Sequence, residues 1–452
     1  MRDFSTIPPQ VSELAKLSIE NSQIDPSLYA KYNVKRGLRD RDGKGVLTGL
    51  TEISEVWGHQ VIDGVDTEID GILRFRGYNV EDLIEGFPKN VNFAFEEVVY
   101  LLLFGQLPTE AQFAEFKELL AGYRTLPTHF VRDIIMKAPS KDMMNTLARS
   151  VLTLYSYDQN SEDISPENVL RQCLELIALF PQLSVYGYQT YKYYHDGDSF
   201  FIHPPLEEYS TSENILHMLR MDSQFTPLEA KVLDMALVLH AEHGGGNNST
   251  FTTHVVTSSG SDTYSTTAAA LGSLKGPRHG GANIKVMQQM TEMKEVVKDW
   301  KDDEEVAAYL NRLLNRDAFD KSGLIYGLGH AIYTKSDPRA RMFKTFVREL
   351  SAEKGRTDEF ELYESIERIG PDLVTAKRNT QKSICANVDF YSGFAYDMLG
   401  LPRELYTPIF AIARIAGWSA HRMEEIINRG KIIRPAYMNI CPPRAYKPFE
   451  ER

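Results

Sequence analysis

At 452 residues the chain is long enough to bury a large core and reads as two domains. Hydrophobic residues make up 42% and charged residues 25%, the balance of a soluble globular protein, and the formal net charge of −12 argues against a general nucleic-acid binder, which carries a basic face. Small anionic substrates stay open, because a few arginines can dominate one cleft.

Cys173, Cys385 and Cys441 are dispersed and odd in number, so a disulfide framework or zinc-thiolate site is not expected, and a reducing compartment is. Cys385 reads best as an apolar filler. The opening Met1-Arg2-Asp3-Phe4-Ser5-Thr6-Ile7-Pro8-Pro9 has neither an apolar leader core nor an Arg/Ser-rich stretch, and no apolar run nears the ~20 residues that span a bilayer. The expectation is a cytoplasmic protein without membrane partners.

Residues 1–45 are polar and mixed, a surface arm with one helix over Val11–Ser22 that ends in Lys35–Gly45. Residues 47–75 predict a small hairpin around Asp63-Gly64-Val65-Asp66. From about residue 80 apolar residues recur at three- and four-residue spacing. That spacing predicts helices over Phe93–Phe104, Thr109–Tyr123, Met143–Tyr157, Ser165–Phe180 and Pro227–His243. Further helices are expected over Ala282–Met293, Asp303–Leu314, Arg339–Lys354, Phe360–Ile369 and Leu405–Arg429. The alternating β-branched runs of a sizeable sheet are missing, so the fold class is mainly α. The more charged region from about 284 to 385 reads as a smaller helical domain inserted into a larger one.

Five of the eleven histidines (His240, His243, His254, His279, His330) fall within one stretch rich in glycine. His240 and His243 stand three apart at the end of an apolar helix and should share a face. Their order, His-Ala-Glu-His, fails the spacing of the zinc motif HExxH. His240 reads as a hydrogen-bonded core histidine or as a site residue; His243, followed by Gly244-Gly245-Gly246, is better placed to meet a ligand. His279 lies in Gly276-Pro277-Arg278-His279-Gly280-Gly281, and the helix starting near Ala282 would aim its N–H groups at that loop and keep the imidazole neutral. His330 is flanked by Gly327 and Gly329. Arg339, in Asp337-Pro338-Arg339, looks like a fork held in a proline turn for a carboxylate. Arg414 sits on an apolar helix face with no acid within a turn, so it needs an anion or an internal ion pair; Arg434, before Pro435, poses the same choice. Asp389, among small and aromatic residues, reads as a desolvated base or as a helix cap.

Together these residues resemble the citrate synthase family over most of the chain. The resemblance begins with Arg74-Phe75-Arg76-Gly77-Tyr78 and Tyr100–Gly105 followed by Leu107-Pro108. It continues through Gly276-Pro277-Arg278-His279-Gly280-Gly281-Ala282-Asn283, Gly327-Leu328-Gly329-His330-Ala331 with Asp337-Pro338-Arg339, Asn387-Val388-Asp389, Arg414 and Arg434-Pro435.

The resemblance implies a citrate-synthase-like fold: a large helical domain (1–283 and 390–452), a small one (284–389), and the active site in the cleft. It implies condensation of acetyl-CoA with oxaloacetate and hydrolysis of citryl-CoA. Catalysis falls to Asp389 as base, His279 as donor to the thioester oxygen and His330 as donor to the oxaloacetate carbonyl. Oxaloacetate falls to His243, His330, Arg339, Arg414, Arg434 and Phe410, and CoA to Leu324, Gly327, Gly329, Ala331, Lys335 and Asn387. CoA is a cosubstrate, no tightly bound cofactor or metal is implied, and the chain should form a homodimer in which Arg434 crosses the interface. Two departures stand out. His-Ala-Glu-His-Gly replaces the commoner His-Ala-Asp-His-Glu, and Thr334 with Lys335 next to it matches a basic position that some members turn toward CoA. The alternatives are 2-methylcitrate synthase acting on propionyl-CoA, a metallohydrolase on His240, His243, His254 and His279, and a non-catalytic helical scaffold.

Overall fold

The computed structural model describes residues 5, 7–40, 43–87 and 92–451. Met1–Phe4 and Thr6 of the opening stretch, and Arg41-Asp42 of the expected arm, lie outside the described residues. Residues 1–50 and 51–452 are two compact units. In the first, Pro9–Asn21 (α1) and Pro26–Lys31 (α2) each start on a proline, where the missing N–H costs nothing. Asp25 caps α2 by accepting the Ser27 N–H at 2.8 Å. α1 is the helix expected over Val11–Ser22.

The second unit opens with a three-stranded antiparallel sheet in the order β1 (Ser54–Ile62), β2 (Val65–Phe75), β3 (Tyr78–Asn79). Ser54 pairs with Phe75 and Ile62 with Val65, so the β1–β2 turn is Asp63-Gly64, both at positive φ (51° and 81°), as a tight hairpin turn requires. The expected hairpin is present, and β3 extends it.

Helices make up nearly all the remaining regular structure among the described residues. They are α3 (Val80–Gly86), α4 (Ala94–Phe104), α5 (Glu110–Gly122), α6 (Met143–Leu154), α7 (Pro166–Tyr191), α8 (Thr211–Leu219) and α9 (Pro227–His240). Next come α10 (Asn248–Ser258), α11 (Thr263–Leu274), α12 (Ala282–Val296), α13 (Asp303–Leu314), α14 (Pro338–Glu353), α15 (Thr357–Arg378), α16 (Val388–Met398) and α17 (Tyr406–Ile427). Capping boxes at Thr109/Gln112, Ser210/Glu213 and Thr226/Glu229 start α5, α8 and α9. Two helices run through a proline where an end was expected. α7 passes through Pro181 instead of stopping at Phe180, and α15 passes through Pro371 instead of stopping at Ile369. α7 is buried on nearly every side from Gln172 to Gly187, and packing of that extent outweighs the local loss at one proline.

α17 packs against α4, α7, α9 and α10. Every residue from Tyr406 to Arg422 is buried except Phe410, so α17 is the core's central helix and carries Arg414 into the interior. α16 packs between α12 and α14, and α13 against α15. No described helix is long and apolar enough to cross a membrane.

Candidate active site

The ends of α9, α14 and α16, the interior of α17 and three loops deliver the predicted residues. α9 ends at His240, not at His243 as expected, so the two histidines do not share a helix face. Both are buried, but His240 meets the Phe410 ring edge-on (4.6 Å), whereas His243 meets His330 (5.1 Å) and Tyr333 (5.5 Å). Among the described residues neither ring nitrogen of His240 has a hydrogen-bond partner, so it is not the hydrogen-bonded core histidine of the first reading, and His243 Nε2 has none either. Burial, then Arg339, pushes both imidazoles well below the usual histidine range, so both are neutral.

His279 lies between α11 and α12. Its Nε2 accepts the backbone N–H of Ser249 at 3.3 Å and faces the Ser249 hydroxyl at 2.9 Å; Trp418 Nε1 donates to that hydroxyl oxygen at 3.1 Å. Ser249 is in the first turn of α10, so the helix end that acts on His279 is that of α10, not the expected α12. With Nε2 accepting, the ring proton is on Nδ1. Burial and Arg414 take the pKa down to about 4.

His330 takes the opposite tautomer. Its Nδ1 accepts the N–H groups of Ile332 (3.1 Å) and Tyr333 (3.2 Å), which puts the proton on Nε2, and its ring stacks on Tyr333 at 4.8 Å. The loop carrying it is tied to the start of α16. Leu328 bridges Ala386, Gly329 N–H donates to Cys385 O at 2.7 Å, and Asn387 Nδ2 donates to Gly329 O at 2.8 Å. Gly327 has φ 87°, and a Cβ there would lie 2.6 Å from the Phe390 ring, so only glycine fits.

Asn387 caps α16 by accepting the Asp389 N–H at 3.0 Å, so Asp389 is not the cap. No side chain among the described residues hydrogen-bonds its carboxylate. Burial raises its pKa to about 6 against the pull of Arg339 and Arg414. Asp337-Pro338-Arg339 is not an open turn but the start of α14, with Asp337 as N-cap. The Arg339 fork already grips Asp337 (Nε 3.0 Å, Nη2 2.7 Å) in a buried pair.

Arg414 has no such partner. It is fully buried, its Nε donates to His240 O at 2.7 Å, its guanidinium lies 4.7 Å from the Phe410 ring centre, and Nη1 has no hydrogen-bond partner among the described residues. Burial lowers its pKa to about 10. Phe410 thus touches His240 and Arg414, with His279 at 6.5 Å.

Some expected members stand apart. Arg434 is exposed in the irregular segment after α17, and no hydrogen bond or ion pair among the described residues joins it to the others. Leu324 and Ala331 are exposed, and Lys335 is an exposed partner of Asp70 (3.5 Å). Cys385 is partly buried, its Sγ 3.8 Å from Tyr333 O, with its thiol pushed up to about 12 by burial, in keeping with a filler. His254 lies with His421 and Glu425, away from His279. No three His, Cys, Asp or Glu side chains among the described residues are grouped to hold a metal ion, so the four-histidine metallohydrolase site does not form. Sequence reading overlooked Ser249, Trp418 and Tyr333. Ser249 had a signal, an Asn-Asn-Ser helix start after a glycine run; Trp418 and Tyr333 had none.

A family model described as "Citrate synthase, C-terminal domain" matches residues 41–436. Citrate synthase 2 of Bacillus subtilis is 34% identical over 86% of this chain and 95% of its own length. The 2-methylcitrate synthase of Shewanella oneidensis is 33% identical over 88% and 96%. Among solved structures, citrate synthase from Pyrobaculum aerophilum superposes with a TM-score of 0.74 at 30% identity, covering 90% of this chain and 94% of that one. The Thermoplasma acidophilum citrate synthase, in ternary complex with carboxymethyl coenzyme A and oxaloacetate, gives 0.74 at 27% identity over 93% and 99%.

Proposed function

The chain belongs to the citrate synthase family of condensing acyltransferases, and we propose that it joins acetyl-CoA to oxaloacetate and hydrolyses the citryl-CoA formed. One observation carries the reading: two neutral histidines, fixed in opposite tautomers by backbone N–H groups, accompany one desolvated carboxylate and a buried arginine that no carboxylate among the described residues hydrogen-bonds.

The methyl of a thioester is a very weak acid. Asp389 takes its proton while His279 Nδ1–H donates to the thioester oxygen, so the enolate forms with its charge already met. A charged imidazolium could not persist there, and the hydrogen bond from α10 is what leaves Nδ1–H to donate. The nucleophilic carbon then bonds to the keto carbon of oxaloacetate, His330 Nε2–H supplies the proton to the new alkoxide, and the proton held by Asp389 is given up to restore neutral His330. Water cleaves the thioester, releasing citrate and the CoA thiol. The two carboxylates of oxaloacetate are taken up by Arg414, with its buried unpaired Nη1, by Arg339, and by Arg434 of a partner subunit, with His243 and Phe410 shaping the site.

CoA lies along Leu324, Gly327, Gly329, Ala331 and Lys335, with Asn387 near its pantetheine arm. Residues 284–389 act as a small domain that closes on bound oxaloacetate and expels water. The assembly is a homodimer with shared sites, and three dispersed free cysteines favour the cytoplasm.

The named 2-methylcitrate synthases at 31–33% identity support a second reading, propionyl-CoA as the acyl donor. One methylene discriminates by only about 1–3 kcal/mol. A thiol-release assay with oxaloacetate and each acyl-CoA decides. Higher kcat/KM for acetyl-CoA is expected; a preference for propionyl-CoA selects the second reading, and release with neither overturns both.

A further inference from the structure

Behind the site runs a second line of buried charge. Glu242, between the two site histidines in sequence, meets His421 (Oε1 to Nε2, 3.1 Å). His421 Nδ1 meets His254 Nε2 at 3.2 Å, and His254 Nδ1 meets Glu425 Oε2 at 2.9 Å. Glu242 and His421 are fully buried, whereas the Glu425 side chain is 17% exposed, so the line runs from the rim into the core. α17 supplies His421 and Glu425, and it passes so close that a Cβ at Gly417 would fall 2.1 Å from Glu242 Oε2. The run Gly244-Gly245-Gly246 crosses the imidazole pair, where a Cβ at Gly245 would lie 3.4 Å from His421 Cε1 and 3.7 Å from His254 Nε2. The departure from the usual His-Ala-Asp-His-Glu pattern therefore falls where this line is built.

Counting hydrogens shows that something is shared. Three contacts link the four side chains, and each needs one hydrogen between its two heavy atoms. Two neutral imidazoles bring two, and two ionised carboxylates bring none. The third hydrogen has to be taken up from solvent, or one buried contact becomes a clash of lone pairs.

We propose that Glu242, His421, His254 and Glu425 share one proton beyond the two of their neutral imidazoles, and that this proton sets the charge behind Arg414 and hence the affinity for a dianionic substrate. The substrate half rests on the oxaloacetate reading above. These are positioning residues, since none touches the reacting atoms. Burial acts most strongly on Glu242 and pushes its carboxyl up, but His421 and Arg414 pull it down to about 2, so the extra proton is not held there. His254 is kept below the usual histidine range, by burial first and by His421 next, as expected of a pair that takes one extra proton and not two. The other charges facing the line are Glu424, 3.8 Å from His421 Nδ1, Arg76, which acts on Glu424, and Arg414; the Ser54 hydroxyl donates to Glu242 at 2.9 Å.

Glu425→Gln isolates the effect, because an amide of the same shape can itself donate to His254 Nδ1. Three contacts then have three hydrogens without uptake. In wild type, KM for oxaloacetate should rise about three- to tenfold over the pH range in which ring-nitrogen NMR shows the shared proton leave, as the buried line gains a negative charge. In Glu425→Gln it should stay within about twofold over that range, with kcat close to wild type; a merely structural glutamate would leave the pH dependence in place. Ring-nitrogen NMR of ligand-free protein labelled with 15N-histidine should count three N–H protons on His254 and His421 at pH 6, and two in the variant. Superimposable KM–pH curves, or two protons in wild type, overturn the proposal. The NMR count needs no turnover, so absence of thiol release would sink the reading of the reaction while leaving the shared proton standing.

Discussion

Asp389, the proposed base, shows what burial does to a carboxylate. With its pKa raised to about 6 by burial, it is ionised at neutral pH yet more basic than an ordinary aspartate. The rate should therefore fall about tenfold per pH unit below 6, read from kcat/KM for the acyl-CoA. Asp389→Asn should keep oxaloacetate binding and lose at least about 10³ in thiol release; near-wild-type turnover would remove Asp389 from the role of base. The same shift has a stability sign. A raised carboxyl pKa favours the fold below about 4 and loses that contribution as pH rises through 6, so Asp389→Asn should raise Tm at pH 7.5 and change it little at pH 4, an effect of about 1–3 kcal/mol. Arg414 makes the complementary case. A buried charge lacking a full set of partners is costly, and Arg414→Met keeps the volume while removing it. The ligand-free variant should match or exceed wild type in Tm, and added oxaloacetate should raise Tm of wild type alone.

At the scale of elements, a helix end fixes a tautomer. α10 delivers Ser249 N–H and hydroxyl to His279 Nε2, and Trp418 of α17 braces the hydroxyl. Ser249→Ala leaves the N–H in place, so kcat should drop about tenfold, the worth of one hydrogen bond, while KM for oxaloacetate stays within about twofold; an unchanged kcat would reduce Ser249 to packing. α10 was illegible in the sequence for a physical reason. Its threonines turn back on their own helix, Thr252 Oγ1 to Asn248 O and Thr253 Oγ1 to Ser249 O, and such residues disfavour helices locally. Packing against α11 and α17 forms the helix. α7 errs the other way: Pro181 signals an end that burial overrides. The apolar-periodic helices α4, α5, α13 and α17 were legible, to within a few residues, because their spacing is their burial pattern.

For the whole molecule, the residue to test is one that this chain leaves at its surface. Arg434 is exposed in the segment after α17, and the proposed function needs it at a partner's site. Mixing Arg434→Ala with Asp389→Asn subunits should return about one site's activity per heterodimer, roughly half that of a wild-type dimer, since one of its two sites would have both residues intact. No recovery on mixing would place Arg434 within its own subunit's chemistry or outside it altogether.

Histidines among glycines, an arginine on an apolar helix face and the spacing of Asn387-Val388-Asp389 were enough to point to the family and to the chemical types at the site, because residue type and order carry that information. Protonation states and pairings were not readable. His279 takes its tautomer from Ser249, 30 residues away; the Arg339 fork closes on Asp337 once α14 forms; and Glu242 reaches His421 across 179 residues. A hydrogen's position depends on which groups folding brings within about 3 Å, and on how far burial strips them of water. Sequence supplied the groups, and only the tertiary structure decided which of them share protons.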